Sequence, residues 1–107
     1  MTERSRITPI VWLDPTAQGV WRRSRFIPLP RVAGDVLGYL DNHAGEIVPL
    51  GCLCTLGPYT PSAVYHGIGL LRKVIERDPE RPQYLLTHRG QGYVLVPYHD
   101  RVPRSGR

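Results

Sequence analysis

Lysine is almost absent from this chain: Lys73 is the only one, and arginine supplies the rest of the 14 basic residues, set against 9 acidic ones in 107 positions. The formal charge of +5 is therefore a guanidinium excess. Planar guanidiniums match phosphates and base edges in a way that ammonium groups do not, so the expected partner is nucleic acid or an acidic protein surface. Cysteine is nearly as scarce. Cys52 and Cys54 form a C-x-C with no second pair, and His43, His66, His88 and His99 make no ligand-like spacing with one another. Neither a metal site nor a cofactor is expected, and the two thiols read as buried or half-buried. No apolar run approaches the ~20 residues of a membrane-spanning helix, and "MTERSRITPIV" is too polar and short for a secretory signal. The expected location is cytoplasmic, with no membrane partner. Paired carboxylates, a phosphate-cradling loop and a metal cluster are all missing, so the chain does not read as an enzyme. It shows no internal repeat.

What is present fits one small core. Hydrophobic residues make up 41% of the chain and charged residues 21%, the balance of a globular domain rather than of a disordered segment. The expected domain covers residues 1 to 97, and the polar, Pro/Gly-rich "HDRVPRSGR" suggests a flexible basic tail over residues 98 to 107. Between residues 7 and 28, short apolar runs broken by "DPTAQG" and "RRS" predict two or three antiparallel strands. After Pro30 the period changes: Val32, Val36, Leu37 and Leu40 predict a helix over about 30–43, with Gly45 as a stop beyond it. "PLGCLCTLG" predicts a short helix at 50–56.

The strongest helical signal spans residues 61 to 78. Thr60 suits the N-cap and Pro61 the first turn, Val64, Ile68, Leu71 and Ile75 recur at helical spacing, and Pro79 restricts Asp78 and so sets the end. At 100° per residue those four fall in one arc, which leaves Ser62, His66, Gly69 and Lys73 opposite, flanked by Tyr65 and Arg72. Gly67 and Gly69 weaken the helix, so either something approaches its backbone, Gly67 admits a neighbouring strand, or glycine is simply tolerated there. Finally, "YLLTHRGQGYVLVP" over 84–97 reads as two strands around Arg89, Gly90, Gln91 and Gly92. The glycines serve a tight turn; the arginine has no structural reason to stand there.

The order of strands, three helices and a hairpin is that of a winged helix-turn-helix, an α+β fold. "LPRVAGDVLGYLDNHAGEIV" and "IGLLRKVIERDPERPQYLLTHRGQGYVLV", above all "THRGQGY", resemble the OmpR/PhoB-type winged-helix DNA-binding domain of response regulators, from about Trp21 to Val96. The resemblance implies an N-terminal antiparallel sheet, a third helix in the DNA major groove and a wing reaching the adjacent minor groove. It assigns base and phosphate contacts to Ser62, Tyr65, His66, Gly69, Arg72 and Lys73, a phosphate contact to Thr87, and the minor-groove probe to Arg89. Arg22, Arg23, Arg25 and the tail arginines are expected to add phosphate contacts. Gly69 and Leu70 stand where the family carries basic residues, and the loop that can touch RNA polymerase shortens to "TLGPYT". The chain is expected to stand alone without a receiver domain, as a monomer or as two monomers on tandem half-sites. Two functions remain: a transcription regulator on double-stranded DNA, or a winged-helix interaction module docking on RNA polymerase or another regulator.

Overall fold

The structure, a computed structural model, describes residues 4–98, so all but the first residue of the expected tail lies outside the described residues. It opens with a meander of four antiparallel strands, β1 (Ser5–Thr8), β2 (Val11–Asp14), β3 (Gly19–Arg22) and β4 (Arg25–Pro28), paired in chain order. There are four strands where two or three were expected. "RRS" does not end the sheet: Arg22 pairs with Arg25 across a two-residue turn, and Arg23 takes the left-handed φ of 57° that such turns demand. Strand alternation sends Ile7, Val11, Leu13 and Val20 into the core. On the outer face Trp12, Trp21 and Phe26 face one another across β2, β3 and β4. The guanidinium of Arg6 lies 4.6 Å from the Trp12 ring centre and that of Arg4 lies 4.3 Å from Trp21, so two arginines of the basic excess are held on the sheet.

Helix α1 (Arg31–Asn42) buries Ala33, Val36, Leu37 and Leu40. Pro30 stands at its N-cap, where the missing N–H costs nothing. Gly45 lies beyond the helix stop with φ of 90°, and its N–H donates to the Leu95 carbonyl at 2.9 Å. Helix α2 (Leu50–Cys54) is shorter than expected. The N–H groups of Thr55 and Leu56 close tight bonds to Cys52 and Leu53, and the Thr55 hydroxyl donates to the Cys52 carbonyl at 2.6 Å. With Leu53 filling the one buried position, Cys52 is exposed and only Cys54 is half-buried, which corrects the expected burial of both thiols.

Helix α3 (Pro61–Ile75) begins as read: the Thr60 hydroxyl oxygen accepts the Ala63 N–H at 3.1 Å, with Pro61 in the first turn. Val64, Ile68, Leu71 and Ile75 form the buried stripe. Gly67 is buried beside them against α1 rather than a strand; a Cβ there would meet Val32 Cγ1 at 3.5 Å and the Ala33 backbone at 3.6 Å. A larger side chain would push the two helices apart. The hairpin β5 (Leu85–His88) and β6 (Gly92–Leu95) closes the fold, and Val48 bridges to Tyr93 along its free edge. Among the described residues, no helix is long and apolar enough to cross a membrane.

The β2–β3 turn is held by Asp14. Its carboxylate accepts the Trp21 indole N–H at 3.0 Å and the N–H groups of Thr16 and Ala17 at 3.2 Å, with Arg4 at 3.8 Å. The indole bond is the main reason its pKa lies below the usual 3.8, with the two backbone bonds and Arg4 adding to it against desolvation. A depressed folded pKa gives stability that is complete above the ordinary value and is lost as pH falls through the lowered one. Thermal melts between pH 2 and 6 should therefore show an acid-dependent loss that is smaller in Asp14→Asn, the variant being the less stable at pH 6.

Candidate nucleic-acid interface

Helix α3 and the hairpin are joined by a carboxylate. Sequence places the end of α3 at Asp78, but the helix stops at Ile75, because Glu76 leaves helical geometry with ψ of 147° and turns its side chain inward. Only 2% of Glu76 is exposed. Its Oε1 accepts the Gln83 N–H at 2.7 Å, and its Oε2 accepts those of Tyr84 at 3.0 Å and Leu85 at 2.7 Å. A buried carboxylate needs such partners, and the run from Gln83 into the first residue of β5 supplies three N–H groups. One turn earlier Arg72 makes a second tie: Nε and Nη2 donate to the Leu85 carbonyl at 3.1 and 2.9 Å, and Nη2 also donates to the Thr87 hydroxyl at 2.7 Å. A third tie lies at the tip. Val48 and Tyr93 exchange both backbone bonds, at 2.7 and 2.9 Å, and Gly92 at φ of 149° lets the Val48 carbonyl come so close that a Cβ would meet it at 2.1 Å.

These ties set the sequence-predicted residues in place. Ser62, Tyr65, His66, Gly69 and Lys73 are all exposed on one face of α3, as their periodicity predicts. Nothing lies within 4 Å of a Cβ built on Gly69, so no backbone approaches it within the chain. Arg72 differs from its neighbours: it is half-buried, and its guanidinium faces β5 rather than open solvent. Thr87 and Arg89 are exposed on the hairpin, with Gly90 at φ of 77° forming the turn. A cleft of about 460 Å³ separates hairpin and helices, lined by Leu50, Tyr65, Thr87, Arg89, Gly92 and Tyr93 among others. Tyr65 presents a large aromatic side chain there, 53% exposed. Burial, and next the neighbouring Tyr65, raise the Tyr93 pKa above its ordinary 10.0 against the lowering effect of Arg72, so its hydroxyl stays protonated at the cleft floor.

Arg22 and Arg25 flank the β3–β4 turn, away from this cleft, and Arg22 donates to the Val74 carbonyl at 3.1 Å. Residues that the sequence reading missed are Glu76, hidden in the polar run "ERDPER", and the cleft-lining Leu50 and Gln91. No periodicity marks a carboxylate that is buried for its hydrogen bonds. The loop before α3 is also fixed: the Tyr59 hydroxyl donates to Asp35 of α1 at 2.5 Å, and that bond, then burial and the Asp35 charge, raise its pKa above 10.0.

A four-stranded sheet, three helices and a hairpin pinned to the third is a shape shared with solved structures. The DrrB response regulator of Thermotoga maritima, an OmpR/PhoB homolog, is 30% identical with a TM-score of 0.75, over 87% of this chain and 44% of that one. This is the OmpR/PhoB-type winged helix-turn-helix fold. The same winged helix is found in the DNA-binding domain of E. coli CadC, 25% identical with a TM-score of 0.72 over 86% of this chain and 90% of that one. It is found too in the RstA DNA-binding domain of Klebsiella pneumoniae in complex with the RstA box, at 23% identity and a TM-score of 0.73, over 91% of this chain and all of that one. The chain spans less than half the length of the Thermotoga regulator. No family model matches the sequence. In winged-helix terms the hairpin is the wing, and Glu76, Arg72 and Val48 are its three anchors.

Hydrogen bonds to a charged group contribute about 1.5 to 3 kcal/mol each, and orphaned buried N–H groups add their own cost. Glu76→Ala should therefore lower stability by about 3 kcal/mol, measured by urea unfolding, and should speed amide exchange of Leu85 before that of the α3 core.

Proposed function

We propose that this chain is a regulator of transcription that binds double-stranded DNA, with α3 in the major groove and the wing arginine, Arg89, in the adjacent minor groove. The observation that carries the reading is the shared exposure of Ser62, Tyr65, His66, Gly69 and Lys73 on one face of α3, with Arg89 at the wing tip across an open cleft. A helix fits the B-DNA major groove, and a guanidinium is drawn to the negative potential of a narrow minor groove. Ser62, Tyr65 and His66 offer donors, acceptors and an aromatic edge for base reading, while Lys73 and Thr87 hold phosphates. Arg72 acts first as a positioning residue, since its guanidinium orients Thr87. The similar winged helices of CadC and RstA, named as DNA-binding domains, support the same reading.

A second reading, docking on RNA polymerase or another regulator, draws on Gly69 and Leu70, which leave the middle of α3 without basic side chains. Gly67 does not add to it, because its missing side chain makes room for α1. Selection of bound fragments from randomised duplex DNA separates the two: an enriched motif supports DNA reading, and no enrichment together with co-purification of a polymerase subunit supports docking. On this reading one chain occupies each half-site, in tandem where there are two.

Arg89→Ala should weaken binding to the enriched duplex by about 1 to 3 kcal/mol and reduce its salt dependence, as measured by fluorescence anisotropy at two salt concentrations. The same change should leave thermal stability unaltered, since Arg89 is exposed and anchors nothing. Arg72→Ala, by contrast, should lower both affinity and stability, because it removes a wing anchor as well as a charge.

A further inference from the structure

A second cationic surface lies outside the α3–wing face. Where the β3–β4 turn meets the end of α3, a cleft of about 460 Å³ is walled by Arg22, Arg23 and Arg77 and floored by Pro9, Ile10 and Ile75. None of the α3 residues assigned to DNA lines it. The three arginines reach the hollow from different elements: Arg22 ends β3, Arg23 stands in the turn, and Arg77 follows the carboxylate that ends α3. Two of them are fixed at their roots. Arg22 is oriented by the Val74 carbonyl. Arg23 holds a left-handed backbone with its N–H on the Ile10 carbonyl at 2.7 Å, a conformation that costs a branched-out side chain about 1 kcal/mol and persists where surrounding structure enforces it.

Like charges brought together in this way repel unless something negative answers them. Among the described residues, no carboxylate lies within ion-pair distance of Arg22, Arg23 or Arg77. The two nearest in sequence are otherwise engaged: Glu76 accepts the N–H groups of Gln83 and Leu85, and Asp78 accepts the Glu80 N–H at 3.1 Å. A concave site of this volume is in the range of small-molecule pockets, and a fork of guanidiniums is matched to the oxygens of a phosphate.

We propose that this cleft binds a small phosphate monoester, gripped by Arg22, Arg23 and Arg77, at a site separate from the DNA-reading face. Three arginines around a single hollow suit one phosphate group, whereas a duplex backbone calls for cations spread along its length. Occupancy would bear on the seam between sheet, α3 and wing, because Arg22 already holds the last turn of α3 and Arg77 adjoins the wing anchor.

The test is an NMR titration of the full isotope-labelled chain with inorganic phosphate and then ribose 5-phosphate, at constant ionic strength. The expected result is saturable shifts of the Arg22, Arg23 and Arg77 side-chain Nε–H signals, with ribose 5-phosphate the tighter probe. Arg23→Gln and Arg77→Gln should each weaken binding about tenfold while leaving other amide positions in place. Glutamine is suited to the turn, since Gln18 holds a similar φ of 54°. Non-saturating drifts shared by all arginines, or equal binding in both variants, would overturn the proposal. So would the opposite pattern, in which duplex DNA shifts these three signals and ribose 5-phosphate does not, for the cleft would then be part of the DNA footprint.

Discussion

The carboxylate of Glu76, buried at the end of α3, is the contact on which the geometry of the wing depends. A two-stranded hairpin is barely stable alone, and the wing has only four residues in each strand. Glu76 satisfies the N–H groups of Gln83, Tyr84 and Leu85, the run that leads into β5 and would otherwise seek water, and it does so from the residue next to the helix. Helix and wing thereby share one covalent and one hydrogen-bonded junction. Arg72 repeats the device one turn back, and Val48 closes the far edge.

This joint explains why the two halves of the proposed reading surface can act together. Arg89 sits on a tip whose strand is fixed to α3 at Leu85 and Thr87, so the span between helix face and wing tip is set before any partner arrives. A binding surface ordered in advance loses less entropy on association than one assembled on contact. The same logic gives the glycines distinct tasks. Gly67 lets α1 pack close beneath the helix, Gly92 lets the Val48 carbonyl reach the wing, and Gly69 lies on the open face with nothing near it.

Much of this was legible in sequence because periodicity and capping are local signals. Thr60, Pro61 and the Val64–Ile68–Leu71–Ile75 stripe place α3 without ambiguity, and the glycines mark the turn of the wing. The exposed face followed by subtraction from the buried one. The end of α3 was not legible: Pro79 offers a local reason to stop at Asp78, whereas the real stop three residues earlier answers to N–H groups seven to nine positions further on. Arg72 was misleading in a similar way, since its place on the helix says nothing of the Leu85 carbonyl that turns it toward the wing. The fourth strand was hidden by a two-residue turn written in arginine and serine, where glycine or asparagine would have announced it. Tertiary hydrogen bonds leave no period in the chain, and that is where the reading fell short.

The central claim is that α3 and the wing form one surface spanning a major groove and its neighbouring minor groove. Chemical protection of the selected duplex tests it most directly, because guanine N7 reports the major groove and adenine N3 the minor. The account predicts N7 protection on one face of the duplex, flanked within about half a helical turn by N3 protection that disappears in Arg89→Ala. N3 protection that persists in Arg89→Ala, or N7 positions that stay reactive in the bound duplex, would contradict it.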